Sequence, residues 1–94
     1  YTDCAVSEEE LYKIYNEYYE DHSFTHICTK PIDLKQVVNT NKCLIHIEKK
    51  GNKVLITSAI DNLLKGASGT AVHNMNLLFG LKETVGLMLK PSAF

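Results

Sequence analysis

Lys42-Cys43-Leu44-Ile45-His46-Ile47-Glu48-Lys49-Lys50-Gly51-Asn52-Lys53-Val54-Leu55-Ile56-Thr57-Ser58-Ala59-Ile60 decides the fold, because it is two β-prone runs separated by a two-residue turn pair. Lys42 to Lys49 and Lys53 to Ile60 read as the strands of a hairpin. Counting outward from Gly51-Asn52 pairs Ile47 with Ile56, Ile45 with Ser58 and Cys43 with Ile60 on one face, which is the expected core face. His46 meets Thr57 and Lys50 meets Lys53 on the other, where His46 is expected to be exposed. That second face also carries Leu44, Leu55 and Ala59. It is more apolar than a solvated face requires, so it is expected to cover another subunit or domain.

Upstream, Ser7 followed three residues later by Glu10 is a capping-box signature, and Leu11, Ile14, Tyr15 and Tyr18 recur at helical spacing. The pattern predicts an amphipathic helix from Glu8 to Glu20 that packs over a sheet. Its acidic opening, Glu8-Glu9-Glu10, suits the helix dipole and needs no binding role. Asp21-His22-Ser23 breaks the pattern, Phe24 to Cys28 is a short strand, and Thr29-Lys30-Pro31 begins a loop. Val37-Val38 is too short to classify.

Downstream, Ser58-Ala59-Ile60-Asp61-Asn62-Leu63-Leu64-Lys65-Gly66-Ala67-Ser68-Gly69 joins an apolar strand to a helix through polar and then very small residues. The small residues leave little bulk around the first turn, which either lets its N–H groups face a ligand or lets the helix pack tightly against a neighbour. The glycine pattern of a pyrophosphate loop is missing. The helix is expected from Ala67 to Phe79, with Ala71, Val72, Met75, Leu78 and Phe79 on its buried stripe and Gly80 as its stop. Asn74 and Asn76 are expected to face solvent or to cap neighbouring backbone, since an unpaired buried amide costs free energy.

Composition narrows the function classes. The 94 residues carry ten basic and eleven acidic side chains, a balance with no electrostatic footprint for nucleic acid. No apolar run approaches the ~18 residues a membrane span needs, and no targeting segment is visible, so a cytoplasmic location is expected. Cys4, Cys28 and Cys43 are odd in number and widely separated, which argues against a disulfide framework and a zinc site. Cys43 alternates with Ile45 and Ile47 and reads as a small hydrophobe. His22, His26, His46 and His73 share no metal-ligand spacing, and none is assigned to catalysis or to a metal.

Ser58 to Ala67, followed by Ala71-Val72, Asn74-Met75-Asn76-Leu77 and Phe79-Gly80-Leu81, closely resembles the C-terminal end of N-acetyl-gamma-glutamyl-phosphate reductases. Val38-Asn39-Thr40-Asn41-Lys42-Cys43 and the Glu-rich helix start extend the resemblance upstream, so it covers most of the chain. Aspartate-semialdehyde dehydrogenases share only the shorter Asn-Leu-Leu-Lys-Gly-Ala-like core. At positions 68, 70 and 73 the family more often has Ala, Gln and Gln, where this chain has Ser68, Thr70 and His73.

The resemblance implies an α+β fold: part of a mixed or antiparallel sheet with covering helices, as in the C-terminal domain of glyceraldehyde-3-phosphate dehydrogenase. It implies residues 1–61 in a substrate and dimerisation domain and residues 62–94 as a helix and tail that return to a dinucleotide-binding domain. That domain, a nucleophilic cysteine and a catalytic histidine are all expected upstream of Tyr1. The chain, which opens on Tyr1 and not Met, is therefore expected to be part of a longer enzyme and inactive alone. The implied reaction is NADPH-dependent reduction of an acyl phosphate to an aldehyde: thiolate attack releases phosphate, a thioester forms and hydride transfer collapses it. The implied partners are that small substrate and a second copy of the protein, joined through the sheet.

Within this chain the resemblance points to Asn62, Lys65 and Gly66 as cofactor-side residues. The Asn62 carboxamide offers a donor and an acceptor, as orientation of a nicotinamide carboxamide requires; the alternative is a cap on the following turn. Gly66 would let the backbone approach the cofactor. Lys65 would steer an anionic ligand or simply lie at the surface, and Asp61 is a turn former or a support for its neighbours. Two other readings stay open: an aspartate-semialdehyde dehydrogenase relative, and a small α+β interaction module without chemistry.

Overall fold

The computed structural model describes residues 1–90. Its centre is the hairpin. Strand β3 (Cys43–Lys50) pairs antiparallel with β4 (Lys53–Ala59) in the register set by the Gly51-Asn52 turn: Ile47 opposite Ile56, Ile45 opposite Ser58, His46 opposite Thr57 and Lys50 opposite Lys53. A two-residue strand, β1 (Thr2–Asp3), runs antiparallel along the outer side of β4, and β2 (Thr25–Cys28) runs parallel along the outer side of β3. The sheet order is β1-β4-β3-β2, a mixed four-stranded sheet. A parallel neighbour cannot be reached by a tight turn, and residues 29–42 make the crossover. Within it, a single 3-10 turn (Leu34–Gln36) is held by a reciprocal cap between Asp33 and Gln36.

Helix α1 (Glu8–Tyr19) starts at Ser7, whose hydroxyl accepts the Glu10 N–H at 3.2 Å. It lies on one face of the sheet. Leu11, Tyr12, Tyr15 and Tyr19 pack against the buried cluster Ile45, Ile47 and Val54. The stripe is rotated from the one the spacing predicts, because Ile14 and Tyr18 are exposed. The Tyr12 hydroxyl donates to the Ile47 carbonyl at 2.5 Å, beyond the end of the short β2, which turns Tyr12 inward.

β3 is buried on both faces: Ile45 and Ile47 on one, Leu44 and His46 on the other. His46 is thus not the exposed histidine its strand face predicts. Its Nδ1 lies 2.9 Å from the Cys28 carbonyl and its Nε2 lies 3.1 Å from Glu48 Oε1, so the buried ring has a polar neighbour beside each nitrogen. Leu44, expected to cover another subunit or domain, is buried within this chain. Ile56 and Ser58, across the hairpin on the predicted core face, are exposed, as is Ile60 just past the strand, because α1 lies over β2 and β3.

After β4 the chain makes a π-helical turn (Leu64–Ser68) and then helix α2 (Gly69–Leu78), two residues later than spacing predicts. α2 ends as expected. Gly80, with φ +68°, allows the Leu81 N–H to reach the Asn76 carbonyl at 2.9 Å and its own N–H to reach that of Leu77, a Schellman closure.

The predicted buried stripe of α2 is overturned: Val72, Met75, Leu78 and Phe79 are exposed, the last two at 83% and 76%. Ala71 is exposed as well. The residues α2 buries are Gly69 and Asn76. Asn76 caps neighbouring backbone, its Nδ2 donating to the carbonyls of Glu83 and Val85 at 3.1 and 3.0 Å.

Candidate functional site

The junction between β4 and α2 is organised by one carboxylate. Asp61 Oδ1 accepts the N–H groups of Leu63 and Leu64 at 2.8 and 2.9 Å, and Oδ2 accepts the Asn39 N–H at 2.8 Å. These bonds hold its carboxyl below the usual carboxylate range, those from Asn39 and Leu64 being the stronger causes. Asp61 is therefore the turn former, and it ties the crossover to the junction. Asn39 reaches it from a left-handed backbone conformation, φ +57°.

With the cap supplied by Asp61, Asn62 is left free. Its side chain is exposed and makes no hydrogen bond among the described residues. An asparagine that points a donor and an acceptor into solvent beside a fixed turn is suited to another planar amide. Gly66 stands beside it. A methyl group at position 66 would lie 3.6 Å from Asn62 Oδ1 and from the Asp61 carbonyl, which is ordinary contact. The chain's own packing does not demand a glycine there, and the residue is exposed.

Gly69 differs. A Cβ at that position would fall 1.7 Å from Asn41 Oδ1 and 2.7 Å from the Leu64 carbonyl, so the close approach of Asn41 requires glycine. Asn41 is buried, and its Nδ2 donates to the Leu87 carbonyl at 3.0 Å. Sequence reasoning grouped Gly66 to Gly69 as one small-residue run and gave Asn41 no role. Only the fold separates an open glycine from one pinned by a side chain 28 positions upstream.

The N–H groups of that run do not face a ligand, and of the two readings open from sequence the tight packing is the one found, at Gly69 against Asn41. Gly66 N–H is taken by the Asp61 carbonyl at 3.1 Å and Ser68 N–H by that of Leu63 at 2.9 Å, while Gly69 N–H is taken by that of Leu64. The i to i−5 pattern of the π-turn uses them internally. Side chains, not helix-terminal amides, are what this junction offers.

Lys65, half-buried, turns back toward the sheet and places its ammonium 5.2 Å from the centroid of the buried Phe24 ring. Cys43 lies near enough for that charge to act on it, but burial is the larger influence and pushes the thiol up. A protonated thiol packed against Ile45 and Ile47 is a core residue, as the alternation implied. The structure thus brings Asn62 and Gly66 together and sets Lys65 on the inner side of the same turn.

Residues 1–62 match the family described as semialdehyde dehydrogenase, dimerisation domain. The chain belongs to that family. The mixed sheet with its covering helix is the α+β architecture expected of this dimerisation domain, and the match ends at Asn62. The full 94 residues are 71% identical to N-acetyl-gamma-glutamyl-phosphate reductase of Parabacteroides distasonis and 60% identical to that of Flavobacterium johnsoniae. Over 89 residues, 95% of the chain, it is 72% identical to the reductase of Bacteroides fragilis. The chain spans 28–29% of the length of these curated relatives. Among the described residues no helix is long and apolar enough to cross a membrane.

Proposed function

We propose that this dimerisation domain serves an NADPH-dependent reductase that converts N-acetyl-glutamyl 5-phosphate to the 5-semialdehyde with release of phosphate. The observation that carries the reading is the 71% identity, over every residue of the chain, to a reductase of that name. The cysteine and histidine of the chemistry lie outside these residues. The cofactor supplies the hydride when bound.

This chain's own contribution is placement. Residues 1–61 form part of the substrate and dimerisation domain, and residues 62–94 lead back toward the dinucleotide-binding domain, a division supported by the family match ending at residue 62. Asn62 holds the nicotinamide carboxamide through its unused donor and acceptor, and Asp61 fixes the backbone from which it projects. Gly66 leaves room for close approach. Lys65 supplies positive charge at the inner wall of the turn. The exposed apolar side chains of α2 (Val72, Met75, Leu78, Phe79) fit a helix that covers a second domain, and the exposed Ile56 and Ile60 fit a sheet that meets its copy.

The test is phosphate-dependent NADP reduction by the full-length gene product, with N-acetylglutamate semialdehyde compared with aspartate semialdehyde and NAD compared with NADP. Preference for the N-acetylated substrate with NADP supports the reading. Preference for aspartate semialdehyde moves the protein to the sister enzymes, and a folded protein that turns over neither is an interaction module. Within an active enzyme, Asn62→Ala is expected to weaken cofactor use by about tenfold, the scale of a lost hydrogen-bond pair.

A further inference from the structure

Glu83 lies in the segment that follows α2, outside the family match and outside every motif singled out from the sequence. Both of its carboxylate oxygens are engaged by residues far apart in the chain. Oε1 accepts the Ser23 hydroxyl at 2.6 Å, and Oε2 lies 3.0 Å from His73 Nε2. Those bonds, the one from Ser23 first, hold its carboxyl below the ordinary range. Its backbone is fixed separately, since its carbonyl accepts the buried Asn76 amide.

Ser23 and His73 share a neighbour. Ser23 directly precedes Phe24, and the His73 ring meets the Phe24 ring edge to face at a centroid distance of 5.2 Å. Phe24 is buried at 4% exposure, and it is the ring over which the Lys65 ammonium stands. A cation over an aromatic face is held only as well as the ring is held. Ser23 anchors that ring through the backbone and His73 through its edge, and Glu83 anchors both.

We propose that Glu83 is a positioning residue for the cofactor side of the reductase: by clasping Ser23 and His73 it fixes the Phe24 ring, and through that ring it sets where the Lys65 ammonium stands beside the Asn62–Gly66 turn. The proposal rests on the reductase reading and on Lys65 serving the cofactor. It adds that the tail after α2 belongs to the site's support. It also gives His73, which stands where the resembled family more often has Gln, a definite task as a donor to Glu83.

The experiment compares Lys65→Ala, Glu83→Gln, Glu83→Ala and the double variant Glu83→Ala/Lys65→Ala in the full-length gene product. It reads the KM and dissociation constant for NADPH, together with the ¹³C resonance of reductively methylated Lys65, assigned by its absence in the lysine variant. Lys65→Ala is expected to weaken NADPH binding roughly three- to fivefold, the scale of one cation contact. Glu83→Ala is expected to produce a similar loss and to move the Lys65 resonance, with the double variant no weaker than Lys65→Ala alone.

Losses that multiply in the double variant, or an unmoved Lys65 resonance, would overturn the role of Glu83 while leaving the reductase reading intact. An unchanged NADPH affinity in Lys65→Ala would overturn both the lysine's assignment and the positioning that depends on it. Should Glu83→Ala fail to fold, Glu83→Gln and Ser23→Ala each sever one arm of the clasp and are read the same way.

Discussion

The sheet with α1 and the segment from Asp61 to Lys90 differ in what they bury, although His46 is buried in the sheet and Leu87 is buried after α2. In the first, Ile45, Ile47 and Val54 are buried and charged side chains lie outward. In the second, the buried side chain of α2 is Asn76, while Leu78 and Phe79 project into solvent. The first region is held by area removed from water, which tolerates small shifts in geometry. The second is held by directed bonds: Asp61 to three backbone N–H groups, Asn76 to two carbonyls, Asn41 to Leu87, and Glu83 to Ser23 and His73. A region fixed by directed bonds keeps its shape while leaving its apolar surface for a neighbour.

The largest expected effect breaks the apolar side. Ile47 has no exposed surface, and Ile47→Ala is expected to cost about 2–5 kcal/mol of stability in chemical denaturation. Asn76→Ala should cost less, about 1–3 kcal/mol, because two carbonyls lose their donor where the asparagine is buried. Its signature is local: hydrogen exchange should accelerate across residues 81–87 and leave β3 protected. An equal loss of protection in both regions would show that they unfold as one unit.

Acid separates the two regions as well. Asp61 and Glu83 are both held below their ordinary carboxylate values by hydrogen bonds. A depressed carboxyl contributes stability above its unfolded pKa, and that contribution disappears as pH falls through the folded value. Protection of residues 61–90 is therefore expected to be level at neutral pH and to drop below about pH 4, ahead of the sheet. Asp61→Asn with Glu83→Gln should flatten that drop.

The smallest effect sharpens the contrast. Phe79→Ser in the 94-residue chain should change stability by no more than about 0.5 kcal/mol, since the ring is 76% exposed. In the full-length gene product the same change is expected to cost more than about 1 kcal/mol, because a second domain would cover it. Equal values in the two proteins would leave the apolar face of α2 without the proposed neighbour.

How much was legible in the sequence follows the same division. The register of β3 and β4 could be counted from Gly51-Asn52 because a two-residue turn leaves one pairing. The start of α1 was visible in Ser7 and Glu10, and the stop of α2 in Gly80. Periodicity also located the apolar side of α2, but period says which side is apolar and not what lies against it. Hence Leu78 and Phe79 were assigned to a core they do not enter. His46 was misplaced for a related reason: alternation assumes one wet face, whereas β3 is covered on both.

At the junction, spacing and resemblance brought out Asn62, Lys65 and Gly66 but left the roles of Asn62 and Asp61 undecided. The three hydrogen bonds to Asp61 settle the cap. Asn76 was legible as a possible backbone cap, but not which carbonyls it caps, and Asn41 and Glu83 were given no role, because their partners lie in other segments or are backbone carbonyls, which have no residue type to read.

The fit of Asn41 against Gly69 makes the two positions a single heritable unit. The crossover that carries residue 41 and the helix that begins at residue 69 cannot be exchanged separately with a relative that has a side chain at 69, since a Cβ there would fall on the Asn41 carboxamide. A chimera must take both segments from one parent, and a genetic suppressor of a substitution at 69 should be sought first at 41.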